Sequence, residues 1–327
     1  MIRFTQIAGL LAFGAAVSMA TAAPARADAK FGSRPVQLVV GFTPGGGTDI
    51  VARTIAPILS RELGAIVVVD NKPGAGGIIA ADFVAKATPD GTTLLVASAG
   101  PFTIAPYLGK LPYDPVKDFT LISQLTIYPN IMVSGAETGI KTVGQLVSKA
   151  KQNPGKFNYA STGTGATPHL AFAYFNMLTG IDLNHVPYKG NPQAVADVLG
   201  GRVEFYIGDP SAVLPHVQSG KLNALAVTTK NRSDLFPGIP SMAEAGVPNF
   251  DVPLWHGLVG PKGLPDSIVK ILLSAIKVAA ADKDVKNAFE KAGLQLKSNS
   301  PAEFMKLMNT DRSRWKQVIE VNNIKAD

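Results

Sequence analysis

Two glycine-rich segments carry the backbone groups best suited to binding a ligand. The first is Thr43-Pro-Gly-Gly-Gly47, and the second is Ser161-Thr-Gly-Thr-Gly165. Each follows a short apolar run and precedes a pattern typical of a helix, so unpaired N–H groups should cluster at each helix start. Because that end of a helix is partly positive and glycine permits close approach, we expect the two loops to bind a carboxylate or phosphate. Both segments also fit ordinary strand-to-helix turns, and that alternative stays open.

Other arrangements of reactive residues are incomplete in this chain. Segment 41–46 has the glycine spacing of a P-loop, but Gly47 and Thr48 follow it and the phosphate-binding lysine is absent. Gly163 and Gly165 lack the third glycine of a dinucleotide-binding motif, and no G-x-S-x-G motif occurs. The chain has no cysteine, and its histidines are not spaced as metal ligands. We therefore predict neither a catalytic set nor a metal site. The histidines are His169, His185, His216 and His256.

Strand and helix patterns alternate around the two loops. Apolar, β-branched runs predict strands at 36–42, 66–69, 93–97, 157–160, 183–186, 203–207, 223–228 and 255–259. Helical patterns occur near 50–59, up to 84, and at 142–151, 168–178, 266–281, 283–292 and 301–321. Thr48 or Asp49 is expected to cap the first helix, and Asp49 can pair with Arg53 four residues later. This alternation is typical of the α/β class, with parallel strands joined by crossover helices.

The amino terminus has the layout of a cleaved secretory signal peptide. Arg3 precedes an apolar run from Ile7 to Ala20, and Ala25-Arg-Ala27 is a cleavage signal, so we expect cleavage after Ala27. The alternative is a membrane anchor, but the run is shorter than the roughly 20 residues that a spanning helix needs. Without a cysteine for lipid attachment, the mature protein is expected free in the periplasm.

The overall composition excludes several classes of protein. The 327 residues are 46% hydrophobic and only 17% charged, which excludes a disordered chain. The formal net charge is +7, but lysine and arginine are scattered rather than grouped with aromatic residues. We therefore predict no nucleic-acid partner. A mild positive charge is compatible with a small anionic ligand.

Ordered sequence segments over nearly the whole mature chain resemble the Bug family, the periplasmic receptors of tripartite tricarboxylate transporters. The glycine loops belong to two of these segments. The resemblance is carried by VGFTPGGGTDIVAR (40–53), VDNKPGAGG (69–77), ATPDGTTLL (87–95), YASTGTG (159–165) with HLA (169–171), VPYKG (186–190), DVLGG (197–201), GKLNALAVT (220–228) and WHG (255–257).

The resemblance implies a type II periplasmic-binding-protein fold, with a ligand cleft between two α/β lobes. Residues 28–127 and 241–327 would form lobe 1, and residues 128–240 would form lobe 2. It further implies a monomer that binds a di-, tri- or aromatic carboxylic acid, uses no cofactor, and delivers its ligand to a permease of one large and one small subunit. The implied ligand-binding residues are Phe42, Thr43, Gly45, Gly46, Gly47, Thr48, Ser161, Thr162, Gly163, Thr164, Gly165, Ala166, Thr167 and Asp209. Ser98 and Gly100 are also expected to contact the ligand, because they lie at the end of the third predicted strand, where open α/β sheets bind ligands.

Several alternatives remain at this point. Asp209 fits either a ligand contact or a turn residue, and Phe42, Phe102 and Tyr188 fit either an apolar cleft wall or the core. The receptor could present its ligand to a sensor protein instead of a permease. An exported hydrolase is a further alternative, although no nucleophile and base are evident in the chain.

Overall fold

The computed structural model describes residue 31 and residues 34–325. The predicted signal peptide, residues 1–27 with cleavage after Ala27, lies outside the described residues. Among the residues described, no helix combines the length and apolar character needed to cross a bilayer.

Strands and helices alternate along the described chain. The strands are β1 (Val36–Val40), β2 (Val67–Asn71), β3 (Thr93–Ser98), β4 (Phe119–Pro129), β5 (Ile131–Gly135), β6 (Asn158–Ser161), β7 (Asn184–Pro187), β8 (Phe205–Gly208), β9 (Leu222–Val227), β10 (Pro253–Pro261) and β11 (Gln295–Leu296). The helices are α1 (Gly47–Leu63), α2 (Ile78–Ala85), α3 (Val143–Gln152), α4 (Thr167–Thr179), α5 (Asn191–Leu199), α6 (Pro210–Gln218), α7 (Asp266–Ala281), α8 (Lys283–Lys291) and α9 (Pro301–Val321). Every strand and helix predicted from the sequence is present, and β4, β5, β11, α5 and α6 are additional.

The first sheet has the strand order β11-β4-β10-β3-β1-β2. β1 pairs in parallel with β2 and β3, whereas β10 runs antiparallel to β3 and β4. The VQLVV sequence of β1 is apolar on both faces because helices cover both: Leu38 and Val40 pack with α1 and α7, and Val39 packs with α2. The carboxyl ends of β1 and β3 therefore lie at one edge of the sheet, where open α/β sheets bind ligands.

The second sheet has the strand order β7-β6-β8-β5-β9. β6 is parallel to β7 and β8, and β5 is antiparallel to β8 and β9. Ser161 and Gly208 end neighbouring parallel strands, so the second glycine loop and Asp209 emerge at the same edge. The predicted α/β class is confirmed, but both sheets are mixed because β10 and β11 in the first sheet and β5 in the second run against the parallel strands.

The chain passes from the first sheet to the second and later returns to the first. β4 ends in the first sheet at Pro129, and β5 begins in the second sheet at Ile131; the chain returns to the first sheet in β10. Helix α9 packs in both cores, with Phe304 beside Trp255 in one cluster and Trp315 in the cluster of the second sheet. The lobe limits at 127 and 240 remain predictions.

Candidate functional site

The first glycine loop joins β1 to α1 and leaves the amino end of that helix open. Ile50 donates the first hydrogen bond of α1 to the Gly46 carbonyl at 2.9 Å, so the N–H groups of Gly47 and Thr48 precede the helical ladder. Gly46 is the capping residue and supplies no side chain. The prediction that Thr48 or Asp49 caps this helix is wrong, because the helix begins earlier and both residues are buried in its first turn.

The Asp49 carboxylate instead holds the first loop in its conformation by accepting hydrogen bonds. Its Oδ2 accepts hydrogen bonds from the Gly45 N–H and from Arg53 Nε, both at 2.9 Å, and its Oδ1 accepts one from Asn71 at 2.9 Å. Burial acts to raise the pKa of Asp49, but the hydrogen bonds from Arg53, Gly45 and Asn71 outweigh it and lower the pKa below its usual value. The expected Asp49–Arg53 pair is present. Gly45 has φ +89° and donates its N–H to Asp49, whereas the N–H groups of Gly46, Gly47 and Thr48 have no partner among the residues that the structure describes.

The end of β2 and the loop that follows it, residues 71–77, pack against the first glycine loop. The Asn71 amide donates to the Phe42 carbonyl at 3.0 Å, and the Phe42 ring lies 3.4 Å from the position that a Cβ on Gly77 would take. Pro101 Cγ lies 2.9 Å from the same position, so only glycine fits at 77. Phe42 is therefore half-buried against this loop.

The second glycine loop joins β6 to α4 and is also open at the helix end. Leu170 donates the first helical hydrogen bond to Ala166 at 3.1 Å, and Ala166 caps the helix without a side-chain bond. Within the loop, the Gly163 N–H bonds to Ser161 Oγ at 3.1 Å and the Gly165 N–H bonds to His169 Nδ1 at 3.0 Å. The remaining donors, which have no partner among the described residues, are the N–H groups of Thr162, Thr164 and Thr167.

A pair of stacked histidines holds the second loop in this shape. The His169 and His185 rings are 3.8 Å apart and tilted by only 2°. Ser161 Oγ lies 2.6 Å from His185 Nε2, while His169 Nδ1 accepts the Gly165 N–H. The two imidazoles thus hold the Ser161 hydroxyl at one end of the loop and the backbone N–H of Gly165 at the other. His169 is therefore a structural hydrogen-bonding residue; the role of His185 was not anticipated from the sequence, although it stands directly before the VPYKG segment.

The segment after β3 brings the two sheets together at the second loop. Ser98 ends β3, and Gly100 opens a π-helical turn over Gly100–Ile104, an element that is frequent at functional sites. The segment continues to Leu108, whose Cδ1 lies 2.5 Å from the Cβ position of Gly165. A side chain at 165 would therefore collide with it. Phe102 does not face this region, because it is fully buried in the core.

Asp209 follows β8 at the start of α6, beside the second loop. Its Oδ2 accepts a hydrogen bond from the Asn191 side-chain amide at 2.8 Å, and the side-chain oxygen Oδ1 of Asn191 accepts one from the Tyr206 hydroxyl. Burial raises the pKa of Asp209, although the Asn191 bond opposes the rise. Burial also raises the pKa of Tyr128 on β4, and the Asp209 carboxyl adds to this effect, so the two groups lie within electrostatic range. The Asp209 carboxyl can accept a hydrogen bond or, when protonated, donate one.

The remaining predicted contacts are distributed around these loops. Thr43 lies in the exposed part of the first loop, and Ser161 is buried below the second. Among the residues that the structure describes, no three histidine, cysteine, aspartate or glutamate side chains group closely enough to hold a metal ion. The polar groups gathered here are neutral donors, and such donors suit reversible binding of an anion.

Comparison with known proteins identifies the family. The model described as "Tripartite tricarboxylate transporter family receptor" matches residues 51–324. The structure of periplasmic binding protein BugD is 33% identical, with a TM-score of 0.76 over 90% of this chain and 99% of that chain. Rpa4515 of R. palustris with adipate is 32% identical, with a TM-score of 0.80 over 91% and 100%. MatC of Rhodopseudomonas palustris with bound malate is 32% identical, with a TM-score of 0.75 over 88% and 99%. The chain therefore belongs to the tripartite tricarboxylate transporter receptor family, is a periplasmic solute-binding receptor rather than an enzyme, and has the two-lobed fold of its neighbours.

Proposed function

We propose that this receptor binds a small di-, tri- or aromatic carboxylate between its two glycine loops and delivers it to a membrane permease. The first loop contributes the N–H groups of Gly46, Gly47 and Thr48, and the second those of Thr162, Thr164 and Thr167. The observation that carries the proposal is that the N–H groups of Gly45, Gly163 and Gly165 form internal bonds, whereas these donors beside the two helix starts have no partner among the described residues.

The chemistry of the two ligand-bound neighbours supports this assignment. Rpa4515 holds adipate and MatC holds malate, and both molecules are dicarboxylates. Neutral backbone donors stabilise a carboxylate without the desolvation cost of a buried arginine pair, so the ligand can also be released. Asp209 would contact a ligand hydroxyl or amine at the edge of the site.

Binding would act through closure of the cleft. A ligand that touches both loops only in the closed state favours that state by its differential affinity. The receptor would do this as a monomer, free in the periplasm after cleavage at Ala27, and would need no cofactor. A permease of one large and one small subunit would then recognise the closed form.

Calorimetry and thermal unfolding of the mature protein test the ligand class. The panel is adipate, malate, citrate and benzoate, with hexane-1,6-diol as a control that has the chain of adipate but no carboxylate. At a ligand concentration of 100 times Kd, a true ligand adds about 2.7 kcal/mol to the free energy of unfolding. Tight binding of the diol, or binding of a carboxylate that is unaffected by loop substitutions, would contradict the proposal.

Transport itself needs a cellular test. Uptake of the identified radiolabelled carboxylate should fail when either the receptor gene or the genes of the permease subunits are deleted. Unchanged uptake, together with a lost transcriptional response to the same carboxylate, would favour presentation to a sensor protein.

A further inference from the structure

A buried histidine on the first sheet points at the amino end of α1. A Cβ placed on Gly47 would lie 3.6 Å from Cε1 and 3.9 Å from Nε2 of His256. His256 is only 1% exposed and lies on β10, opposite Ser98 on β3. The edge of this imidazole and the first turn of the helix therefore border the same small space.

Within the described part of the chain, one of the two ring nitrogens of His256 has a hydrogen-bond partner. Nδ1 lies 2.8 Å from the hydroxyl of Thr126, and Tyr128 stacks on the ring with centroids 5.2 Å apart. Nε2 has no hydrogen-bond partner among the described residues. Burial lowers the pKa of His256 to about 3, so the ring is neutral at physiological pH. An imidazole nitrogen that the protein leaves without a partner is available to a ligand or to water.

The tautomer follows from Thr126. Its hydroxyl is completely buried, and Nδ1 of His256 is the one acceptor within reach among the described residues. A buried hydroxyl that only accepted a hydrogen bond would leave its own proton unsatisfied. The hydroxyl therefore donates to Nδ1, which places the ring proton on Nε2. The imidazole faces the space beside Gly47 as a neutral donor.

We propose that His256 is a ligand-binding and specificity-determining residue, whose Nε2–H shares one ligand carboxylate oxygen with the N–H groups at the start of α1. The inference rests on the proposed function, since it assigns a further donor to the first-loop half of that site. A ligand oxygen that meets both the Nε2–H of His256 and the N–H groups of the helix start must accept from each of them, as a carboxylate oxygen does. It disfavours a carboxamide, whose NH₂ group would face other donors. The receptor should therefore bind the dicarboxylate in preference to its monoamide.

Isosteric substitutions separate the two ring nitrogens. A glutamine amide reaches the position of Nε2, whereas an asparagine amide reaches only that of Nδ1. We expect H256N and H256F to weaken binding of adipate or malate, whichever the parent binds, at least tenfold. H256Q should bind at least tenfold more tightly than H256N. Equal affinities of the asparagine and glutamine variants, with both folded by urea titration, would overturn the inference.

A second variant tests the space itself without touching the histidine. Gly47→Ala places a methyl group at ordinary contact distance from the ring, so the fold should keep its stability while affinity falls at least tenfold. Gly144→Ala is the matched control, because Gly144 also lies in a first helical turn, in α3, and the nearest atom to its Cβ position, Thr142 Oγ1, is at an ordinary contact distance of 4.0 Å. Affinity in G47A equal to that in G144A would show that no ligand atom enters this space.

A measurement without ligand keeps the inference separate from the proposed function. Nitrogen-15 NMR of the imidazoles in the free protein should show His256 protonated at Nε2 and unprotonated at Nδ1. If the parent protein binds no carboxylate but the spectrum shows this tautomer, the proposed ligand class is wrong, and the assignment of His256 Nε2–H as a donor is still supported. Protonation at Nδ1 would refute the assignment whatever the ligand proves to be.

Discussion

Replacing Asp49 with asparagine should destabilise the protein by about 1.5–3 kcal/mol, the usual value of one hydrogen bond to a charged group. Asp49 accepts from Gly45 and Arg53 through one oxygen and from Asn71 through the other. An asparagine has a single acceptor oxygen, so its NH₂ group must face at least one of these donors. Rotation of Asn71 would not help, because its own amide already bonds Phe42 and Arg53. At least one bond is lost in every arrangement.

The assay is urea unfolding followed by calorimetry with adipate or malate. In the arrangement that loses the Gly45 bond, binding should also weaken about tenfold, which corresponds to ~1.4 kcal/mol. Arg53→Gln is the control: the Arg53 side chain is half exposed, so its ion pair contributes about 0–1 kcal/mol. A D49N variant that unfolds like R53Q, with unchanged affinity, would refute the idea that Asp49 holds the loop.

The pH dependence of D49N gives an independent check. The pKa of Asp49 is lowered in the folded protein, so its carboxylate stabilises the fold above the ordinary value of 3.8. That contribution is lost as the pH falls through the folded-state pKa. The stability difference between parent and D49N should therefore shrink below about pH 4 and stay constant near neutrality. A difference that grows on acidification would contradict the assigned charge state.

Three further predictions concern the second loop and α9. Gly163→Ala should lower both the stability of the protein and its affinity for the carboxylate, because φ at Gly163 is +128°. Gly180→Ala is the control: Gly180 has φ +63° and lies outside the loop, so this change should lower stability by about 1 kcal/mol and leave the affinity measured by calorimetry unchanged. An amide group takes the place of the hydrogen-bonded ring nitrogen in His169→Asn and His185→Gln. These two variants should therefore bind the carboxylate more tightly than His169→Gln and His185→Asn. Equal affinities would contradict the view that the two histidines hold the second loop. Asp311→Ala should lower the free energy of unfolding in urea by about 3–5 kcal/mol, because it leaves the Trp255 and Arg314 donors without their carboxylate partner. A loss under about 1 kcal/mol would contradict this role of Asp311.

The strand-to-helix units could be predicted because their signals are local. β1 is a short β-branched run, followed by glycines and then by helical spacing in α1, and all these features lie within 30 residues. β6, its loop and α4 repeat the arrangement. The two loops of the candidate site were therefore visible in the sequence, together with the edges of the sheets from which they emerge.

The connecting strand β4 could not be predicted because its polar residues form hydrogen bonds with distant partners. β4 carries buried Ser123, Gln124 and Thr126, which break the apolar pattern of a strand. Ser123 and Gln124 bond Asn299, about 175 residues later in the chain, and Thr126 bonds His256. The assignment of His256 Nε2–H as a neutral donor beside Gly47 depends on this long-range bond between Thr126 and His256. Single-sequence periodicity contains no information about it.

The links between the sheets restrict how the cleft can close. The Asn130 N–H bonds the Thr228 hydroxyl at 2.9 Å, and the Asn130 carbonyl accepts the Thr228 N–H at 2.9 Å. Val252 donates its N–H to the Thr228 carbonyl at 2.8 Å and accepts from the hydroxyl at 3.1 Å. One buried threonine thus joins the outward and the returning crossing. Sliding of the lobes would break all four bonds, so we expect closure to be a rotation about Thr228, which brings the open N–H groups of the two loops toward one carboxylate while the hinge keeps its bonds.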